Sequence, residues 1–208
     1  MKNKLAVILF GISYLEYKVK EGIRTVDFRK SVKNYREIVF KHFNKLNYEI
    51  DIYFCTNETN NRIEKELISK YNPKNHKFIK NLDFRTVSRN QKLRTAIGLC
   101  IENGKKYDHC LITRFDLLFS NNFSKSNINY GKLNIVSILE RDEIICDNFY
   151  FMPFKLLKPF YNLVKRNIGK SFHQVRKDIE EISDIHFICN EYVPVHKLSF
   201  YKIVRTLD

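Results

Sequence analysis

Apolar and polar positions along this chain switch between two periods. The run Leu5-Ala6-Val7-Ile8-Leu9-Phe10 is continuously apolar and ends at Gly11. That pattern predicts a strand buried on both faces, followed by a turn. A polar stretch to Arg24 reads as an irregular, flexible connection. From Val26 a helical period takes over: Val32, Tyr35, Val39, Phe43 and Leu46 share one face, with Thr25 or Asp27 as the cap. A second strand runs from Ile50 to Thr56. Ile63, Leu67, Ile68 and Tyr71 then mark a helix closed by Asn72-Pro73, and a short strand lies around Lys77-Phe78-Ile79. Leu93, Ala96, Ile97, Cys100 and Ile101 form the next helical face, with Gly104 where a left-handed residue ends a helix. The segment His109 to Arg114 completes the alternation as a strand. Strands alternating with helices in this way predict a parallel α/β sheet with right-handed crossovers.

The second half changes character. Asn134 to Leu139 and Asn148 to Met152 read as strands separated by the acidic turn Glu140-Arg141-Asp142-Glu143. Pro159 fits the first turn of a helix carrying Phe160, Tyr161, Val164 and Ile168, with Gly169 past its end. A further helix is expected from about His173 to Ile182, and strand-like segments near Phe187 to Cys189 and Phe200 to Val204. There is no internal repeat and no low-complexity linker. The expected fold is one mixed α/β domain over 1–208, with a mostly parallel central sheet flanked by helices and mixed strands in the C-terminal half. No run of about 18 apolar residues exists, so no membrane span is expected. The stretch Leu5 to Ile12 is too short for a signal peptide and lacks a small-residue cleavage site.

Charge sharpens the picture. With 37 Lys and Arg against 23 Asp and Glu, the net charge is +14. The balance is 21 against 11 over residues 1–104 and 16 against 12 over the rest. An anionic partner is the natural expectation, and the first half is the place to look for its surface. Abundant Lys, Asn and Ile have A/T-rich codons, so part of the basic excess reflects coding bias. The five cysteines (Cys55, Cys100, Cys110, Cys146, Cys189) are odd in number and sit in apolar runs without a close pair. That excludes a disulfide framework and points to a reducing compartment, the cytoplasm.

In an open α/β sheet the ligand site lies beyond the carboxyl ends of the strands. Three such ends stand out: Gly11-Ile12-Ser13, Thr56-Asn57 and Arg114-Phe115-Asp116. Neither G-x-G-x-x-G nor G-x-x-x-x-G-K-[ST] occurs, which argues against a dinucleotide oxidoreductase and a P-loop NTPase. Arg114 and Asp116 have alternate spacing and face the same side if the backbone stays extended. An arginine offers a planar fork to phosphate and an aspartate a hard oxygen to Mg²⁺ or Mn²⁺. The competing explanation is a salt bridge capping the strand end.

Several segments together resemble nucleotide-sugar-dependent glycosyltransferases of the GT-A type, particularly the small ones of large DNA viruses and bacterial surface-polysaccharide loci. They are the opening strand with its Gly turn, the approach through Arg24 to a long helix, and Asp51-Ile52-Tyr53-Phe54-Cys55-Thr56. A basic helix into Tyr107-Asp108, the strand ending Thr113-Arg114-Phe115-Asp116, and Asp147-Asn148-Phe149-Tyr150-Phe151-Met152-Pro153 complete the set. The resemblance implies a GT-A-like domain, with a nucleotide-sugar-binding half at 1–119 and an acceptor-side half at 120–208. It implies a nucleotide-diphosphate sugar as donor, a glycan or glycoprotein acceptor, and a divalent cation, Mn²⁺ or Mg²⁺, held at Asp116. For a viral enzyme the compartment is the host cytoplasm. In better-known members an Asp-x-Asp motif holds the metal at this strand end; here Arg114 replaces the first Asp and could neutralise the diphosphate directly. Gly11, Ser13 and Thr56 would line the base and ribose pocket, and Arg24, Arg89 or Arg94 would join Arg114 on the phosphates.

An inverting transfer also needs a carboxylate to accept the acceptor hydroxyl's proton. Asp147 is the first candidate and Asp142 the second, although Asp142 also reads as part of a charged hairpin tip. Of the six histidines, His42 and His76 read as surface residues, and His186 and His196 lie where family members often place a further metal ligand. Two rival functions remain: a basic nucleic-acid-binding protein, with its best patch at residues 85–94, and a noncatalytic glycosyltransferase-like adaptor. No zinc finger or RNA-binding signature supports the first, and the aromatic residues mostly sit at core-periodic positions.

Overall fold

A computed structural model describes residues 2–19, 22–80, 86–139, 144–189, 200–204 and 206–207. Strand β1 (Asn3–Gly11) opens the chain, followed by β2 (Tyr14–Val19) and β3 (Gly22–Asp27). A long helix comes next: α1 (Arg29–Asn34), a π-helical segment (Tyr35–Phe40) and α2 (Lys41–Lys45). Then follow β4 (Tyr48–Asn57), α3 (Asn61–Tyr71), β5 (Asn75–Ile79), α4 (Thr86–Glu102), β6 (His109–Arg114) and β7 (Leu117–Phe119). The remainder comprises β8 (Leu133–Ile135), β9 (Ile138–Leu139), β10 (Ile144–Ile145), β11 (Phe149–Pro153), α5 (Leu157–Arg166), α6 (Arg176–Glu180), β12 (Ile185–Phe187), β13 (Tyr201–Ile203) and β14 (Thr206–Leu207), with short 3₁₀ turns between.

Seven of these strands form one sheet in the order β12-β8-β11-β6-β1-β4-β5. Every neighbouring pair is parallel except the two made by β11, so β11 alone runs against the rest. Strands from both halves of the chain share this sheet. From β1 the chain moves outward through β4 to β5, then returns across β1 to place β6 on its other side. That reversal puts helices on both faces and opens a crevice at the carboxyl ends of β1 and β6.

The burial follows the sequence pattern. Residues Leu5 to Phe10 are completely buried, as a central parallel strand requires. Asn60 caps α3 by accepting from the Ile63 amide, and Asn72 closes it in the left-handed region at φ 45°. Gly104 ends the turn after α4 at φ 71°. Val32, Tyr35, Val39 and Phe43 all face the core. Four cysteines are buried within apolar segments as free thiols, and Cys189 is half-buried.

Several expectations need correction. The stretch before Arg24 is not irregular: β2 and β3 pair as an antiparallel hairpin, from Tyr14 opposite Asp27 to Val19 opposite Gly22. Its Tyr, Val, Ile and Thr content suits strands, and charged residues between them masked that signal. Leu46 lies 43% exposed rather than on the core face. The π segment takes more residues per turn than an α-helix, and Leu46 stands in the turn beyond α2, so the 3.6 period does not carry through to it. Asn134 to Leu139 is broken into β8 and β9. The helix expected over 173–182 is reduced to a 3₁₀ turn at Phe172–Gln174 and the short α6. The last strand of the seven-stranded sheet is β12 at Ile185–Phe187, slightly before the expected Phe187 to Cys189. His42 and His76 are half-buried against Phe43 and Phe54 rather than on the surface, and burial lowers both imidazole pKa values. Among the described residues no helix is long and apolar enough to cross a membrane.

Candidate active site at the carboxyl edge of the sheet

Much of the buried polar chemistry among the described residues gathers at the carboxyl ends of β1 and β6. Gly11 ends β1 at φ +99°, a conformation that strains any side chain, and Arg114 Cγ lies 3.9 Å from where a Cβ would be. The Arg114 side chain therefore passes directly over the glycine. Beyond it, β1 and β4 are tied by hydroxyls. The Ser13 amide donates to Thr56 Oγ1 at 3.0 Å, and Thr56 Oγ1 lies 2.9 Å from Ser13 Oγ. Asn57 Nδ2 donates to the Tyr14 carbonyl at 3.0 Å. Ser13 and Thr56 are thus buried and hydrogen-bonded to one another, fixing the ends of two strands.

The backbone after β6 is clamped from α1 and the π segment. Tyr35 Oη donates to the Arg114 carbonyl, Ser31 Oγ donates to the Phe115 carbonyl, and Asn34 pairs with both backbone groups of Phe119 at 2.8 and 2.9 Å. Residues 115 and 116 form a turn between β6 and β7, so Arg114 and Asp116 meet across a bend rather than by strand alternation. Their side chains form a two-pronged pair, with Arg114 Nε donating to Asp116 Oδ1 at 2.7 Å and Nη2 to Oδ2. Side-chain exposure is 13% and 3% respectively. Burial opposes the Arg114 charge, but the Asp116 carboxylate outweighs it and holds the guanidinium above its ordinary pKa.

A second arginine–aspartate pair adjoins the first. Arg89, in the first turns of α4, donates from Nη1 to Asp147 Oδ2 and from Nη2 to the Asp147 carbonyl at 2.7 Å. Its guanidinium lies 5.5 Å from the Phe10 ring at the end of β1. Asn148 joins the pairs: its Oδ1 accepts from Arg114 Nη1 at 3.2 Å and from Arg89 Nη2 at 3.4 Å. Asn148 Nδ2 donates in turn to Tyr201 Oη at 2.8 Å, and that hydroxyl lies 2.7 Å from Cys146 Sγ. Tyr201 reaches the cluster because β13 pairs with β7. Burial, chiefly, raises its phenol pKa above the ordinary range.

Asp147 is 1% exposed, and its Oδ1 has no hydrogen-bond partner among the described residues. His173 Nε2 lies 3.3 Å from that oxygen, while His173 Nδ1 lies 2.7 Å from the Ile145 carbonyl. A carbonyl only accepts, so Nδ1 carries a proton, and one further proton would join Nε2 to Oδ1.

The structure thus unites Gly11, Ser13, Thr56, Arg114, Asp116, Asp147 and Arg89 around one crevice. Arg94 is half-buried on α4, five positions after Arg89 and about 140° around the helix, so it projects from a different face. Arg24 lies in β3 opposite Tyr17, with its side chain outside the described residues; Asp142 and His196 also lie outside them. His186 sits on edge strand β12, its Nε2 2.6 Å from the Asn127 carbonyl and away from the cluster. Sequence reasoning missed Tyr35, His173 and Tyr201 as parts of the site. It also missed Lys92, 2% exposed on α4, whose ammonium donates to Ser88 Oγ at 2.7 Å and whose pKa burial lowers.

The donor set does not suit a divalent cation. Both Asp116 oxygens accept from Arg114, Asp147 is clasped by Arg89, and two guanidiniums stand where an ion would need oxygen ligands. Among the described residues no three His, Cys, Asp or Glu side chains gather as a metal site.

No protein-family model matches the chain, and a search of the curated proteins finds no match. Solved structures do show a likeness of shape. The inositol-1-phosphate CTP transferase from T. maritima aligns over 90% of this chain and 85% of its own, at 12% identity and TM-score 0.48. A glycosyltransferase involved in glycosylation of the major capsid of PBCV-1 aligns over 87% and 76%, at 10% identity and TM-score 0.44. The nucleoside-diphosphate-sugar pyrophosphorylase from Vibrio cholerae RC9 aligns over 94% of both chains, at 10% identity and TM-score 0.46.

Proposed function

We propose that the chain is a GT-A-type glycosyltransferase acting on a nucleotide-diphosphate sugar, with Arg114 and Arg89 stabilising the departing diphosphate. The observation that carries this reading is the convergence of two guanidiniums from different elements on Asn148, at the point where the strand order reverses. Breaking the bond from the anomeric carbon to the diphosphate builds negative charge on the leaving oxygen. Cationic donors already fixed in a shielded crevice lower the cost of that charge most, because they need not reorganise as it develops. Asp116 and Asp147 supply the fixing, each gripping one arginine. Gly11 leaves room for the Arg114 stem to cross the β1 backbone and hold its guanidinium toward a phosphate, and the Ser13–Thr56 pair holds the rim on which the nucleoside would rest.

The acceptor, a glycan or glycoprotein, loses a hydroxyl proton as it attacks the anomeric carbon. In this reading the proton is taken by His173 Nε2, which shares it with Asp147 Oδ1 at 3.3 Å, an oxygen itself too buried to meet the acceptor. The leaving-group charge is assigned to the arginines, and a divalent cation at Asp116 would first have to displace Arg114.

The test is a thermal-shift panel of UDP-, GDP- and CMP-sugars, with Mn²⁺ or with EDTA. At about 100 Kd a ligand adds roughly 2.7 kcal/mol of stability, which is readily detected. One nucleotide sugar should stabilise the chain in EDTA as well as in Mn²⁺. Slow hydrolysis of that donor to free sugar and nucleoside diphosphate identifies glycosyl transfer, whereas release of pyrophosphate during synthesis of a nucleotide sugar identifies nucleotidyl transfer. No response to any nucleotide, with steeply salt-dependent nucleic-acid binding, would replace this reading by the nucleic-acid-binding one.

A further inference from the structure

The chain carries a second charged feature outside the crevice. From Pro153 to Lys177 there are seven Lys or Arg and no Asp or Glu. Five of them, Lys155, Lys158, Lys165, Arg166 and Lys170, are exposed on or beside α5. At about 100° per residue, Lys158, Pro159, Asn162, Lys165 and Arg166 occupy an arc of about 120° on the helix. The opposite side of α5, with Leu157, Phe160, Leu163 and Val164, is buried in the core. Between α5 and α6 this arc borders an open groove of about 730 Å³, lined by Pro159, Asn162, Lys165, Arg166, Glu181 and Ile182. Glu181 is the single acid in that lining, and the nearby Glu180 pairs with Arg176 at 2.8 Å.

We propose that this face of α5 docks on a membrane surface carrying acidic phospholipid, with a headgroup phosphate seated in the groove between Lys165 and Arg166. Charge complementarity is the first ground: the exposed face of α5 carries Lys158, Lys165 and Arg166, with Lys155 and Lys170 beside it, and no Asp or Glu lies anywhere from Pro153 to Lys177. The second is its mixture of side chains. Exposed Pro159, half-exposed Tyr161 and Ile182 stand between the lysines, and Lys158 Nζ lies 5.6 Å from the Tyr161 ring. Flexible lysine stems beside apolar and aromatic groups suit the headgroup layer, where ammonium groups meet phosphate and the rest meets the acyl boundary. A convex, lysine-dominated helix carries neither the stacking platform nor the base-reading donors that single-stranded nucleic acid requires.

The position gives the contact a consequence. Asn90, the residue after Arg89, donates from Nδ2 to the carbonyls of Lys170 at 2.7 Å and Ile168 at 3.0 Å. The end of the basic face is therefore latched to the helix turn that carries the crevice arginine. Docking along α5 would bring a membrane surface beside the carboxyl edge of the sheet. The inference does not depend on which reaction occurs there.

Co-sedimentation of the whole chain with phosphatidylcholine vesicles, and with vesicles containing about 30% phosphatidylserine, tests it at about 0.1 M salt. The chain should partition onto the acidic vesicles alone and come off as salt rises. The variant Lys158→Gln, Lys165→Gln, Arg166→Gln, Lys170→Gln should lose at least about twentyfold in partitioning, since each basic group near such a surface contributes about fivefold before screening. The control Lys41→Gln, Lys45→Gln, Lys65→Gln, Lys70→Gln removes the same charge from exposed positions elsewhere and should lose less than about threefold. Melting curves establish that both variants fold. Equal losses in the two variants, no preference for acidic vesicles, or tighter retention by single-stranded DNA at the same salt would each overturn the assignment. Should the first variant fail to fold, the wild-type vesicle preference and DNA competition decide alone.

Discussion

Removing one member of the Arg114–Asp116 pair tests whether that couple is a strut, a ligand site, or both. Arg114→Met keeps the length of the side chain but leaves the 3%-exposed Asp116 carboxylate without its arginine. Breaking a buried ion pair from one side costs about 3–5 kcal/mol. Asp116→Asn leaves two guanidinium donors facing an amide with a single acceptor oxygen, worth about 2–3 kcal/mol. The double variant replaces the pair by two uncharged groups and should cost no more than the worse single change, which implies a coupling of about 2–4 kcal/mol. In a domain of this size each kcal/mol moves the melting temperature by about 2–4 °C. Arg114→Met should therefore melt roughly 10 °C below wild type, with the double variant at or above it. Urea midpoints for the four proteins give the cycle. Additive penalties within about 0.5 kcal/mol would refute a mutually dependent pair. Nucleoside-diphosphate affinity of Asp116→Asn supplies the second readout. If the carboxylate only restrains Arg114, its loss adds one positive charge to the crevice, and affinity in EDTA should hold or rise. If Asp116 anchors a cation, affinity in Mn²⁺ should fall instead.

Three further expectations follow from the same geometry. Arg89→Gln should slow donor hydrolysis by about 10²–10³ in kcat while changing KM much less, since one charge-stabilising donor is typically worth that much; an unchanged kcat would remove Arg89 from the leaving-group role. Asp51 is buried, and although burial raises its carboxyl pKa, hydrogen bonds from Lys105 and from Tyr107 at 2.9 Å bring it below the ordinary value. A depressed folded-state pKa adds stability above the unfolded value and loses it as pH falls through the folded one. The stability gap between wild type and Asp51→Asn at pH 7 should therefore close on acidification below about pH 4; a gap that persists at pH 2 counts against the assignment. Burial pushes the Cys55 and Cys100 thiols up to about 12 and Cys146 up to about 11. Titration with a thiol reagent at pH 8 should find these groups inert until the chain is unfolded, and rapid reaction of two or more thiols in the native chain would contradict their burial.

The parts of the fold that could be read from sequence are those where one period dominates. Leu5 to Phe10 admits no face for water, so a central strand is the one arrangement that buries it, and β1 follows with its neighbours in parallel. The β2–β3 hairpin escaped notice because Glu16, Lys18 and Arg24 interrupt its apolar positions, and its third strand, β14, comes from the far end of the chain. The site divides along the same line. Arg114 and Asp116 were legible because a strand end concentrates chemistry, and Gly11 because a turn there asks for positive φ. Arg89 and Asp147 are 58 residues apart, on a helix and a loop that meet only once β11 is antiparallel beside β6. His173 and Tyr201 also arrive from distant segments, 28 residues after Ile145 and 53 after Asn148, and nothing in their local spacing marks them. Alternate spacing also identified two side chains of opposite charge without fixing their partners. The turn at Phe115 brings each within reach of the other, and it arises from the grip of Tyr35, Ser31 and Asn34 on the backbone after β6. A helix about 80 residues upstream thus sets the turn that pairs Arg114 with Asp116, and any ligand that competes for the guanidinium must match what Asp116 already supplies.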